Sequence, residues 1–448
     1  MGSASKSTYF TSLALLAVAA SISILWGISL ERGRGLGVMG FPGIYFGTKC
    51  LLHGGDPYDV RQLQAVFEAA GYGNISDSSA VRQSASLYVN LPVTFLVVAP
   101  FALLPLGVAQ GLWLTLVIGS FLLATFLMWR IAHNYSPSIA LLLTFIVLSN
   151  CEILFSGGNT AGLVVSLCVI ATWCFLRDRY IVAGIVCLGL GLAIKPHDAG
   201  MVWLYFLLAG GIQRRRALRS CIVCLVLLIP AILWVMHAAP HWIPELQSNL
   251  ATISGPGGIN EPGPTSIGVS SPDMIIDLQT FVSVLVDDPR IYDPITYTVW
   301  TVLFLTWLLA VLRLSKSGRN AWYALVSAAA MSMLVTYHRS YDARLLLLAI
   351  PACSMLWLEG GILAWTAVLL TAAGVILTAD IPLAILTHAT RHLYSPDANF
   401  ARQTLVAVVT RPAPFILLAI AVFYLCLYLR EDHGASVSAR SPSAQAGT

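Results

Sequence analysis

The sequence predicts an all-α polytopic membrane protein with about twelve transmembrane helices, and three observations carry that expectation. The 448 residues are 57% hydrophobic and only 10% charged, against roughly a quarter charged in an average soluble domain. Mean hydropathy is +0.79. Apolar runs of roughly 17 to 25 residues, each long enough to cross a bilayer core as a helix, recur along the chain. This composition excludes a soluble enzyme and a disordered chain, and a dispersed net charge of +4 offers no surface for nucleic acid. The nine cysteines are odd in number, lie mostly inside apolar runs and have no paired spacing, so they read as small packing residues.

The expected spans lie at about 8–30, 108–131, 138–155, 160–177, 180–194, 199–213, 217–239, 291–313, 320–337, 343–358, 361–380 and 406–429. Thr8 to Leu30 lacks a small-residue cleavage site and reads as a retained signal anchor. A further apolar run, about 87–106, is broken by Pro92, Pro100 and Pro105. Lys and Arg in short loops mark the cytoplasmic face, and here they are Lys6, Arg130, Arg177, Arg179, Arg214 to Arg216, Arg219, Arg313, Lys316, Arg319 and Arg430. All fall on one face if 87–106 is interfacial or re-entrant, so both termini are expected to be cytoplasmic in a multi-pass plasma-membrane protein.

That topology divides the chain into an N-terminal module over 1–239 with a first exterior loop at 31–107, a Pro/Gly-rich exterior loop at 240–290, a C-terminal module over 291–430 and a Ser/Ala/Gly-rich cytoplasmic tail over 431–448, expected to be disordered. Within the first loop, Val60, Leu63, Val66 and Phe67 give 58–70 the spacing of a short amphipathic helix on the membrane surface. The polar chemistry then gathers on the exterior side.

Lys195-Pro196-His197-Asp198 sets three ionisable groups at the membrane surface, where such groups are costly and mark function; the bland reading is a turn with a snorkelling Lys195 and Asp198 capping the next helix. Tyr337-His338-Arg339-Ser340-Tyr341-Asp342-Ala343-Arg344 is the densest polar string between two spans. On a continuing helix His338 shares a face with Asp342, and Ser340 with Arg344, which suits proton transfer and forked phosphate binding or else a network pinning two helices. Asp56 in Gly54-Gly55-Asp56-Pro57-Tyr58-Asp59 reads equally as an exterior base or as the cap of the 58–70 helix, and Asn159 after Gly157-Gly158 as an amide donor or an ordinary turn residue. Asp287-Asp288 lacks the further ligands of defined geometry that a metal site needs, and His237 and His241 at a helix end read as interfacial residues, so no metal or other cofactor is expected.

Phe41-Pro42-Gly43-Ile44-Tyr45-Phe46, the turn Asp56-Pro57-Tyr58, Tyr88 to Pro92 leading to Pro100 and Leu104-Pro105, Gly158-Asn159 and Lys195-Pro196, in that order from roughly Ile28 to Pro351, resemble glycosyltransferase family 87. The resemblance implies a GT-C-like membrane fold with interfacial helices in the first exterior loop. It implies a polyprenyl-phosphate-linked sugar as donor, often mannose, transferred with inversion to a lipid or glycan acceptor. Membrane lipids complete the expected partners. Two positions depart from the pattern: the family's Asp-Phe pair, whose aspartate is the expected base, is Gly40-Phe41 here, and no glutamine follows Gly158 in the turn.

The resulting expectation is a hexosyltransferase with Asp56, His338 and Asp342 as catalytic candidates and Tyr45, Tyr58, Asn159, Lys195, His197, Asp198, Arg339, Tyr341 and Arg344 as substrate-binding candidates. Lys195, His197 and Arg339 supply cations for a lipid phosphate, and Asp56, or Asp342 with His338, takes the acceptor proton. The alternatives are a lipid-linked-sugar flippase using the same cations and a catalytically inactive relative.

Overall fold

A backbone in hydrocarbon must satisfy its own N–H and C=O groups, and a chain this apolar meets that demand with helices. The computed structural model describes residues 3–33, 40–72, 87–264, 275–314, 318–390, 393 and 399–438. Among them the helices run α1 (Ser3–Gly33), α2 (Phe41–Leu52), α3 (Val60–Phe67), α4 (Val93–Ala102), α5 (Leu106–His133), α6 (Pro137–Leu148), α7 (Glu152–Gly157), α8 (Thr160–Leu176), α9 (Ile181–Ile194) and α10 (Pro196–Leu208). They continue as α11 (Gly211–Ala238), α12 (Trp242–Ser254), α13 (Leu278–Leu285), α14 (Pro289–Arg313) and α15 (Arg319–Ser332). A 3-10 helix over Ser340–Leu348 leads into α16 (Ala349–Trp357), α17 (Gly361–Leu377), α18 (Asp380–Thr390), α19 (Phe400–Thr410) and α20 (Pro412–Ser438).

Five helices among the described residues are long and apolar enough to cross a membrane: Tyr9–Leu30 within α1, then α5, α11, α14 and Pro412–Arg430 within α20. Other apolar runs are cut shorter than their composition suggested. The run at 138–155 stops at Leu148 and restarts as α7, the run at 320–337 stops at Ser332, and the run at 406–429 breaks at Arg411 because Pro412 cannot continue a helix. Pro137, Pro196 and Pro289 each sit in the first turn of their helices, where the missing N–H costs nothing. α20 continues to Ser438, into the stretch expected to be disordered, and residues 439–448 lie outside the described residues.

The proline-broken segment forms α4, whose ten residues rise about 15 Å, half of a hydrocarbon core. Tyr45 and Tyr58 pin its two flanks, their hydroxyls donating to Leu104 O at 2.8 Å and Asn90 O at 2.9 Å. The expected surface helix appears as α3, with Leu63 and Phe67 buried. Just before it, the backbone at Tyr58 is tied to α12 and to Tyr88, because Asn249 Nδ2 donates to Tyr58 O and Tyr88 O at 3.0 and 3.2 Å.

α8, α15 and the 340–356 stretch are buried on nearly every side, so they form the centre. α8 packs against α5, α9 and the 3-10 helix, while α15 packs against α10 and α20. α11 turns Ile222, Val226, Ile229 and Leu233 outward, the surface a lipid-facing helix presents. At the start of α2 two backbones nearly touch: a Cβ on Gly40 would fall 1.5 Å from Gly157 O, so no side chain fits there unless that backbone moves.

Candidate active site

Pro196 fixes the first turn of α10 and holds Lys195 at φ −145°, ψ 80°, outside the helix that follows. One turn on, Asp198 is buried inside the protein. Facing it, the 3-10 helix starts where the Arg339 N–H donates to Asp342 Oδ2 at 2.8 Å. Lys195 Nζ closes the gap between the two segments. It donates to Asp342 Oδ1 at 2.5 Å and stands 3.0 Å from Asp198 Oδ2, with the lysine side chain 11% exposed and both carboxylates 1%. One ammonium thus serves two buried carboxylates.

His338 extends the cluster. Its Nδ1 lies 2.8 Å from Thr336 O, an atom that only accepts, so Nδ1 carries a proton and Nε2 is turned to the other side of the ring. Nε2 is 3.2 Å from Asp198 Oδ1, and neither atom has a hydrogen-bond partner. His197 Nε2 lies 3.8 Å from the same oxygen, and the two imidazoles meet edge to face with centroids 5.1 Å apart. Tyr341 closes one side: Asn159 Nδ2 donates to its hydroxyl at 3.3 Å, and Lys195 Nζ sits 5.4 Å above its ring. Asn159 also caps α8 by accepting the Ala161 N–H.

The structure therefore brings Asn159, Lys195, His197, Asp198, His338, Tyr341 and Asp342 together. His338 and Asp342 do not pair across a helix face as their spacing suggested, because the helix begins only at Ser340; His338 turns to Asp198 and Asp342 to Lys195. Asp198 does not cap α10, since its carboxylate faces Lys195 and the histidines. Arg339 is fully buried and donates to Ile259 O and Asn260 Oδ1, both at 2.9 Å, and to the Tyr337 hydroxyl at 2.6 Å. Arg344 donates to Asn150 O at 2.8 Å and Thr378 O at 2.9 Å. Both guanidinium groups are engaged with protein oxygens, so neither presents an open fork to a phosphate.

Asp56, Tyr45 and Tyr58 lie apart from this cluster, in the segment before α4. Asp59, not Asp56, caps α3, accepting the Arg61 N–H at 2.9 Å. Asp56 Oδ1 accepts the Tyr58 N–H at 2.8 Å. Burial and the neighbouring Asp56 carboxylate push the Glu245 carboxyl of α12 up to about 7. Sequence reasoning passed over Glu245, Asn249 and Asn260, whose signal was their position as polar residues in a segment that otherwise reads as loop.

Two outcomes are expected. Lys195→Met strands two buried carboxylates and lowers stability in detergent by about 3–5 kcal/mol, and adding Asp342→Asn recovers part of that loss; equal stability of Lys195→Met and the intact protein contradicts the pairing. Folding favours protonated Glu245, so that contribution is complete below the ordinary glutamate range and disappears as pH rises through about 7. Thermal unfolding is expected to weaken by roughly 1 kcal/mol between about pH 5 and pH 8, with solvent screening allowed for, and Glu245→Gln to remove that slope. A slope unchanged in Glu245→Gln contradicts it.

Residues 88–336, more than half of the chain, match glycosyltransferase family 87. The matched stretch runs from Tyr88 through α15; it holds Asn159 and the Lys195 to Asp198 turn and ends just before His338. No curated protein matches the sequence. A helical chain with five helices of membrane-spanning length, a buried cluster of charge and a family match of this extent belongs to glycosyltransferase family 87 and is a glycosyltransferase.

Proposed function

We propose that the chain transfers a hexose, mannose-like, from a polyprenyl-phosphate donor to a hydroxyl of a lipid or glycan acceptor on the extracytoplasmic face of the plasma membrane. About twelve membrane segments in a GT-C-like arrangement, with both termini cytoplasmic, fit this reading. The observation that carries it is the meeting of Asn159, Lys195, Asp198, His338 and Asp342, which come from three segments that the positive-inside pattern puts on one side.

In this reading Lys195 and the part-exposed His197 meet the donor phosphate, and the acceptor proton goes to the Asp198 and His338 pair. The acceptor oxygen attacks the anomeric carbon, the bond from that carbon to the phosphate oxygen breaks, and the proton passes to His338 Nε2. Asp198 Oδ1, 3.2 Å away, stabilises the imidazolium so formed. Asp198 suits this role better than Asp342, whose two oxygens already accept from Lys195 and the Arg339 N–H. The closeness of Gly40 to Gly157 O favours one competing reading, a catalytically inactive relative, because the position where the family resemblance puts its base holds no side chain.

Transfer of radiolabelled sugar from polyprenyl-phosphate hexoses by the purified protein, supplied with membrane extract as acceptor, tests the proposal. Asp198→Asn and His338→Gln are expected to lower the rate by about 100-fold or more while the donor still binds. Loss in Asp56→Asn with Asp198→Asn unaffected moves the base to the first exterior loop. Donor binding without transfer by the intact protein supports the inactive reading.

A further inference from the structure

His197, Asp198 and His338 each offer a metal-ligand atom, and these atoms lie within 4.8 Å of one another. A zinc-type ion held at its usual bond lengths in a tetrahedron separates its nitrogen and oxygen ligands by about 3.3 to 3.5 Å. His338 Nε2 is 3.2 Å from Asp198 Oδ1 and His197 Nε2 is 3.8 Å from it, so two of the three separations stand near that spacing and the third lies within 4.8 Å.

Three further observations agree with a cation at their centre. The Nδ1 proton of His338 is held by Thr336 O, the outer-shell arrangement that points the Nε2 lone pair of a ligating histidine at its metal. Nε2 stands 3.2 Å from a carboxylate oxygen, and both atoms are buried with no other partner, so the pair needs a proton or a cation between them. Asp198 divides its oxygens, giving Oδ2 to Lys195 and leaving Oδ1 to the histidines.

We propose that His197, Asp198 and His338 form a binding site for a divalent transition metal of the zinc type, with a fourth position open on the side where His197 is 39% exposed. Two imidazoles and one carboxylate select zinc-like ions over calcium or magnesium, which take oxygen ligands. The proton and the metal are alternative occupants of the same lone pairs, so the site stands whichever of them transfer uses. Residue spacing pointed to no metal because His338 lies far along the chain from His197 and Asp198.

The test is a titration of the full-length protein, purified with chelator in detergent, with Co²⁺ followed by visible absorption and with Zn²⁺ followed by metal analysis. One metal per chain is expected, with the visible bands of low-coordinate cobalt. His197→Ala, which removes a part-exposed ligand, is expected to weaken binding by more than about 10-fold, a loss that even outer-shell changes produce. His241→Ala, an exposed histidine outside the cluster, is expected to bind as the intact protein does. Thermal unfolding verifies that each variant is folded. No metal taken up, or equal affinity in His197→Ala and the intact protein, overturns the site. Sugar transfer is measured separately: zinc bound without transfer supports this site and removes the proposed activity, whereas full transfer by protein that takes up no metal removes the site alone.

Discussion

Lys195 lies between Asp198 and Asp342 in a place that water barely reaches, and the arrangement of the surrounding segments follows from that one shared charge. Burying an ion costs several kcal/mol, and the cost is offset only while its partners stay in place. Lys195 therefore fixes the turn between α9 and α10 against the 3-10 helix. The same helix is started by the other oxygen of Asp342, which accepts the Arg339 N–H. Arg339 in turn reaches Ile259 and Asn260 in the segment after α12, and Tyr341 reaches Asn159 at the start of α8. Four stretches of chain, remote in sequence, depend on one ammonium.

Away from this cluster, α12 and the segment before α4 are held by a different kind of contact. Asn249 of α12 holds the backbone at Tyr58 and Tyr88, and the ring of Trp242 packs on Tyr58. Glu245 sits beside Asp56 in the same contact, where burial and that carboxylate push its own carboxyl up to about 7. The charged cluster and this clasp are joined by α12 and the turn that follows it to Asn260.

The all-helical membrane character was legible because apolar runs and Lys/Arg clusters are local signals that no tertiary contact overrides. The segments that meet at the site were legible too, since Lys195-Pro196-His197-Asp198 and Tyr337 to Arg344 stand out as ionisable groups among apolar runs. Their roles were not. Whether a guanidinium faces a substrate or a carbonyl depends on distant chain, and for Arg344 the deciding atoms belong to Asn150 and Thr378. The pairing of His338 with Asp198 in place of Asp342 followed from the late start of the 3-10 helix, which i, i+4 spacing does not reveal. Helix lengths were overestimated for a related reason: hydropathy records apolar composition, while Pro412 and the break after Leu148 act on the backbone.

The buried cluster is read here as the place where the donor phosphate meets the enzyme, and photolabelling with a polyprenyl-phosphate probe, its reactive group beside the phosphate, reports that location. Label is expected on peptides that contain Asn159, Lys195 to Asp198, or Tyr337 to Asp342, and excess unlabelled polyprenyl phosphate is expected to prevent it. Label concentrated instead around the cavity of about 370 Å³ lined by Tyr135, Arg177, Arg319 and Trp322 contradicts the reading, because those arginines belong to the set that marks the opposite face.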